Sequence, residues 1–127
     1  MYENDYIMKM IHESVRMVMR LVFHKDDFPQ EDFTLTDLLS GPDYDKLQTL
    51  ADSGKINEAE NLLYEQLDDL DEEDLEGALL FYEYLNQKSN EELEDADYSR
   101  EEISDGIKMV LKMYGHESLT ELTDSRW

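Results

Sequence analysis

Residues 4–23, NDYIMKMIHESVRMVMRLVF, place the first constraint on any fold of this chain. Ile7, Ile11, Val15, Val18 and Val22 recur at the spacing of one helix face. Tyr6, Met10, Met17 and Leu21 widen that face, and Met8, Met19 and Phe23 add apolar surface beyond it. Lys9, His12, Glu13, Arg16, Arg20 and His24 are left a narrow polar stripe. A helix this apolar must be covered on most of its sides. At about 1.5 Å per residue it is roughly 30 Å long, so covering it falls to the rest of the chain.

The remaining residues read as further helices. Residues 26–41 form an irregular connector, with Phe28, Phe33, Leu35, Leu38 and Leu39 able to pin it to a core and one short helical turn at Thr36–Leu39. Pro42 suits a first helical position. The segment from Pro42 to Ser53 carries Tyr44, Leu47, Leu50 and Ala51, and Gly54 is a fitting stop. The segment from Ile56 to Leu70 carries a stripe of Ile56, Ala59, Leu62, Leu63, Leu67 and Leu70. So short a break folds the two helices back as an antiparallel hairpin.

Asp71 is the expected N-cap of the next helix, with Glu72, Glu73 and Asp74 in a first turn whose dipole favours negative charge. Leu75, Ala78, Leu79, Phe81, Tyr82 and Leu85 are its apolar positions, and it ends around Asn86 to Asn90. The polar stretch that follows has room for one short turn at Ser89. Ser99–Glu102, SREE, spells a capping box, followed by Ile103, Ile107, Val110, Leu111 and Tyr114 at helical spacing and by Gly115 as the stop. No segment alternates as a strand does. The expected architecture is one all-α domain over 1–127: an N-terminal helix (4–23), the connector (26–41), a hairpin (42–70), a second helix pair (71–115) and a tail (116–127).

The charge is large and uneven. The net value is −22, yet residues 1–25 hold three acids against four bases, leaving −23 on the remainder. Direct contact with nucleic-acid phosphates is therefore disfavoured, and basic or apolar partners are selected. The absence of cysteine excludes disulfides, thiol catalysis and thiolate metal sites. The opening MYENDYIMKM has acids where a secretory leader needs bases, and no apolar run reaches the length of a membrane span, so a cytoplasmic protein is expected. Surface contact with a membrane through Arg16 and Arg20 ranks last, because anionic lipid would repel the acidic remainder.

Leu50, Gly54, Ile56, Ala59, Leu63 and Leu67 resemble the middle of a tetratricopeptide repeat, in which a small Ala lets two helices approach and a Gly permits the tight turn. The resemblance covers about 30 residues. Gln48 stands where that family prefers a small residue, Asp71 replaces the usual proline, and the later helices do not repeat the pattern. One hairpin of this type is implied, not an array. Gly77 and Gly106 are candidate small crossing residues of the second pair. Over almost the whole chain, NDYIMKMIHESVRMVMRLVF, SGKINEAENLLYEQLD and YSREEISDGIKMVLKMYG resemble an uncharacterised bacterial family of small helical proteins, a domain of unknown function. That resemblance implies the helix layout and a bacterial cytoplasmic setting, and no chemistry.

Motifs for catalysis are missing. HESV at His12 lacks the second histidine of a zinc-protease helix, which would fall at Arg16, and His24 lies too far along to share a metal. His12, His24 and His116 read as solvated or capping residues. Asp68–Glu76, DDLDEEDLE, fails as a calcium loop because Asp74 and Leu80 stand where Gly and Glu are required. It reads better as the charged start of a helix. There is no phosphate loop, no nucleophile motif and no marked carboxylate pair. No enzyme, metal or cofactor is expected.

Methionines at 8, 10, 17 and 19 suit either a core helix gripped by the two helix pairs or a partner surface. If the first helix self-associates, Val15, Val18, Met19 and Val22 are the expected contacts. The leading expectation is a protein–protein interaction module or small adaptor that self-associates as a homodimer and selects a protein partner by steering. A second expectation is an acidic mimic of nucleic acid that occupies a basic protein. A third is a small enzyme, which would need a deep pocket holding a carboxylate of raised pKa.

Overall fold

A computed structural model describes residues 2–24, 35, 42–68 and 70–122. Among them there are helices and turns and no strand. The helices are α1 (Tyr2–Phe23), α2 (Pro42–Asp52), α3 (Ile56–Gln66), α4 (Glu72–Asn86), α5 (Asn90–Asp95) and α6 (Arg100–Met113), followed by a 3₁₀ turn, Glu117–Leu122. The expected pins Phe28, Phe33, Leu38 and Leu39, and the last residues of the tail, lie outside the described residues. Leu35 is fully buried, and its N–H donates to Gln48 Oε1 at 2.7 Å.

The stops follow from local chemistry. Gly54 has φ +81°, the left-handed conformation that glycine adopts without strain. Lys55 N–H then returns to Leu50 O at 2.9 Å and Gly54 N–H to Ala51 O at 3.2 Å, which satisfies two carbonyls that α2 leaves open. Gly115 closes α6 in the same way, with φ +79° and a 2.8 Å bond from His116 N–H to Leu111 O. Ser99 and Glu102 form the capping box that SREE predicts. A second box, Ser89 with Glu92, starts α5, so the turn expected at Ser89 is a short helix. Asp71 caps α4, its carboxylate accepting from Glu73 N–H at 3.0 Å.

α3 stops four residues before the expected Leu70. Leu67 is already extended, and Leu70 is 91 % exposed. Asp68 draws the backbone out of the helix: its N–H donates to Asp74 Oδ2 and its own Oδ1 accepts from Leu70 N–H. The acidic run is thus the punctuation between two helices.

α1 packs on α4, on α6 and on the 3₁₀ turn; α4 packs on α6, and α2 on α3. Ile11, Val15, Val18 and Met19 of α1 enter a core shared with Leu79, Leu85, Ile103, Ile107 and Val110. The helix buried on nearly every side is α4, whose buried run extends unbroken from Gly77 to Glu83. α1 instead keeps one flank open, with Tyr6, Met17 and Leu21 exposed. Gly77 and Gly106, the candidate crossing residues, face tyrosine side chains. Each leaves room for a ring: a Cβ at Gly77 would collide with Tyr44, and one at Gly106 with Tyr82.

Candidate functional site

Two tyrosines converge on one carboxylate where α3 meets the second helix pair, and a third joins them through a hydroxyl. Tyr82, fully buried on α4, donates its hydroxyl to Glu60 Oε2 at 2.5 Å. Tyr98, between α5 and α6, donates to the same oxygen at 3.1 Å. Tyr64, one turn beyond Glu60 on α3, has its hydroxyl 2.9 Å from that of Tyr82. The Tyr82 ring reaches this position only because Gly106 has no side chain. Burial, then the neighbouring Tyr64 and Glu60, hold the Tyr82 phenol protonated well above the ordinary tyrosine range. Burial first, then Glu60, does the same for Tyr98, and burial raises Tyr64.

Glu60 and Tyr64 of this cluster also line a solvent-open groove of about 320 Å³ between α3 and α6. Glu60 and Tyr64 line one side, and Glu102, Asp105, Gly106 and Met109 the other. Three carboxylates therefore border the groove, and no Lys or Arg is among its lining residues. Met109 is 52 % exposed and gives it an apolar edge. A carboxylate steadied by two phenols, a phenol and a thioether suit the head and stem of a basic side chain.

A second polar cluster is internal. Glu83 is 1 % exposed, and its Oε2 lies 2.5 Å from His12 Nδ1. His12 is therefore the partner of a buried carboxylate, a correction to its reading as a solvated or capping residue. The pairing spans 71 positions in sequence, which no local motif can announce. Glu83 Oε1 is buried, with no hydrogen-bond partner among the described residues. Beside it, Asn86 Nδ2 donates to Met8 O at 2.8 Å, tying α4 to α1. Arg100 reaches back from α6 to donate to the carbonyls of Asn86 and Lys88, both at 2.7 Å, and so closes the C-terminal end of α4. His116 pairs with Glu72 at 3.2 Å, and His24 takes a left-handed conformation at the end of α1. Among the described residues no group of three His, Asp or Glu side chains is placed to hold a metal ion, and no helix is long and apolar enough to cross a membrane.

Of the four contacts expected on α1, Val15 and Val18 are fully buried and Met19 is 2 % exposed, all in the intramolecular core. Val22 is half-buried against that core. Among the described residues, the large apolar side chains that α1 exposes are others, Tyr6, Met17 and Leu21. The groove residues went unmarked in the sequence because carboxylates are common throughout it. Of the three tyrosines, helical spacing places only Tyr82 among the apolar positions; Tyr64 and Tyr98 stand outside the predicted stripes.

Neither a curated protein nor a solved structure matches the chain. A protein-family model does match, over residues 1–115, which takes in α1 through α6. The chain belongs to the family of unknown function DUF6483.

Proposed function

We propose that the chain is a non-enzymatic interaction module of the cytoplasm that docks a basic side chain of a protein partner in the groove between α3 and α6. The observation that supports this most is Glu60. Two phenols fix one of its oxygens while the residue lines an open groove bordered by two further carboxylates. A carboxylate held in place loses little side-chain freedom when a cation arrives, which favours binding there over the rest of the acidic surface. Net charge steers basic partners toward the molecule, and the groove selects the site.

A titration calorimetry series tests this, with hexa-arginine as the probe at ~0.15 M salt. The expected result is one saturable site, weakened at least ~10-fold, or ~1.4 kcal/mol, by Glu60→Gln and unchanged by Glu91→Gln on the exposed face of α5. Equal, shallow losses from both substitutions would remove the groove from the reading and favour a charge mimic that captures basic proteins with its whole surface.

A further inference from the structure

The outward flank of α1 carries a row of exposed apolar side chains with a symmetric spacing. Tyr6 is 49 % exposed, Met17 37 % and Leu21 51 %, and half-buried Met10 lies on the same flank between them. Their spacing along the chain is four, seven and four residues, so it reads the same in both directions. A second α1 laid antiparallel, centred between Glu13 and Ser14, would bring Tyr6 opposite the partner's Leu21 and Met10 opposite the partner's Met17. A row of this kind is complementary to itself about a two-fold axis, which is what an isologous interface requires. The row spans roughly 22 Å of helix, from the rise of about 1.5 Å per residue.

Charge points to the same occupant. Two bodies of −22 repel across most of their surfaces, and residues 1–25, three acids against four bases, are where copies can approach. Lys9 and Arg20 are exposed beside the apolar row, with Glu13 between them. We propose that two copies of the chain pair antiparallel through Tyr6, Met10, Met17 and Leu21 of α1. The contact is one helix pair, so the dimer is weak and reversible. Screening relieves the repulsion between the acidic bodies, so pairing tightens as salt rises from ~0.02 to ~0.5 M. Docking of a cation in the groove weakens over the same range, and this separates failure of the pairing from failure of the groove.

The chain has no cysteine, so introduced thiols report cleanly. Tyr6→Cys and Leu21→Cys are prepared separately, mixed one to one and oxidised. The mixture is expected to give at least ~10-fold more covalent dimer than either variant alone, because like positions lie about 22 Å apart in an antiparallel pair. Glu13→Cys, next to the axis, is expected to cross-link by itself. Sedimentation should show Met17→Asp monomeric at protein concentrations where the parent chain pairs, with its helical circular dichroism retained because Met17 is at the surface. Equal cross-linking of each single variant would show a parallel pair and overturn the proposal. So would a parent chain that stays monomeric up to ~1 mM, well above the Kd of a specific dimer.

Discussion

α1 and the α2–α3 hairpin are held to the rest of the molecule by different balances of apolar and polar contact. α1 meets α4 and α6 chiefly through apolar side chains, with Ile11, Val15, Val18 and Met19 all at 2 % exposure or less, and its polar ties to α4 are His12 at Glu83 and Met8 O at Asn86. The hairpin adds polar ties to its apolar ones. Glu60 accepts from Tyr82 and Tyr98, Asp52 accepts from Tyr84 and Lys88 at 2.6 and 2.8 Å, and Asp68 O accepts from Tyr114 at 2.8 Å. Apolar burial has no direction and tolerates small slips, whereas a phenol–carboxylate bond weakens steeply once its geometry is lost. The α1 contact therefore governs whether the domain folds, and the tyrosine contact fixes where the hairpin sits. The groove lies on the tyrosine contact, where position matters most.

The sharpest way to break this contrast lies within α1. Ile11→Ala removes a side chain that is 2 % exposed, and the expected loss is about 3 kcal/mol for an unfilled core cavity. Leu21→Ala, ten residues along the same helix and 51 % exposed, is expected to change stability by no more than ~0.5 kcal/mol in dilute protein. Urea denaturation of both variants measures the difference. Equal losses would mean that α1 is gripped all round, as its apolar width alone suggests.

That width shows how far the sequence could be read. Periodicity predicts the helix correctly, because apolar residues at helical spacing state which side chains share a face. It does not state which part of a wide face meets the chain's own core, so spacing alone points to Val15, Val18, Met19 and Val22 as partner contacts and passes over Tyr6 and Leu21. Caps were legible for a related reason. Ser99 and Glu102 satisfy each other within three residues, and Gly54 meets a local backbone demand. The candidate site was not legible, since Glu60 acquires its meaning from Tyr82 and Tyr98, 22 and 38 positions away. His12 became the partner of a buried carboxylate only when α1 crossed α4 at Glu83. Polar residues of α4 are the extreme case: Glu83 and Asn86 are 1 % exposed because helices from both ends of the chain cover them.

The second contrast is in pH. Burial raises the Tyr82 and Tyr98 phenols above their ordinary range in the folded chain. A group of this sign contributes stability that is fully present below its unfolded pKa, about 10 for tyrosine, and lost as pH climbs past it, since the unfolded phenol then releases its proton and the folded one does not. The urea midpoint is expected to fall steeply above about pH 10 in the parent chain. Tyr82→Phe/Tyr98→Phe is expected to start lower and fall less. An unchanged slope in the double variant would show that the two phenols do not carry the alkaline response.

The smallest expected effect separates position from stability. Tyr98→Phe keeps the ring, which is 5 % exposed, and removes only the hydroxyl 3.1 Å from Glu60 Oε2. That oxygen retains the shorter bond from Tyr82, so no buried acceptor is orphaned, and the expected cost is about 1 kcal/mol. If the phenols place the hairpin, the loss is local: amide exchange quickens in α3 and stays unchanged in α1. Hexa-arginine affinity should fall with it, because Glu60 is steadied by one hydroxyl in place of two. Protection lost equally in α1 and α3 would mean that hairpin and body open as one unit, and the division between a folding contact and a positioning contact would not hold.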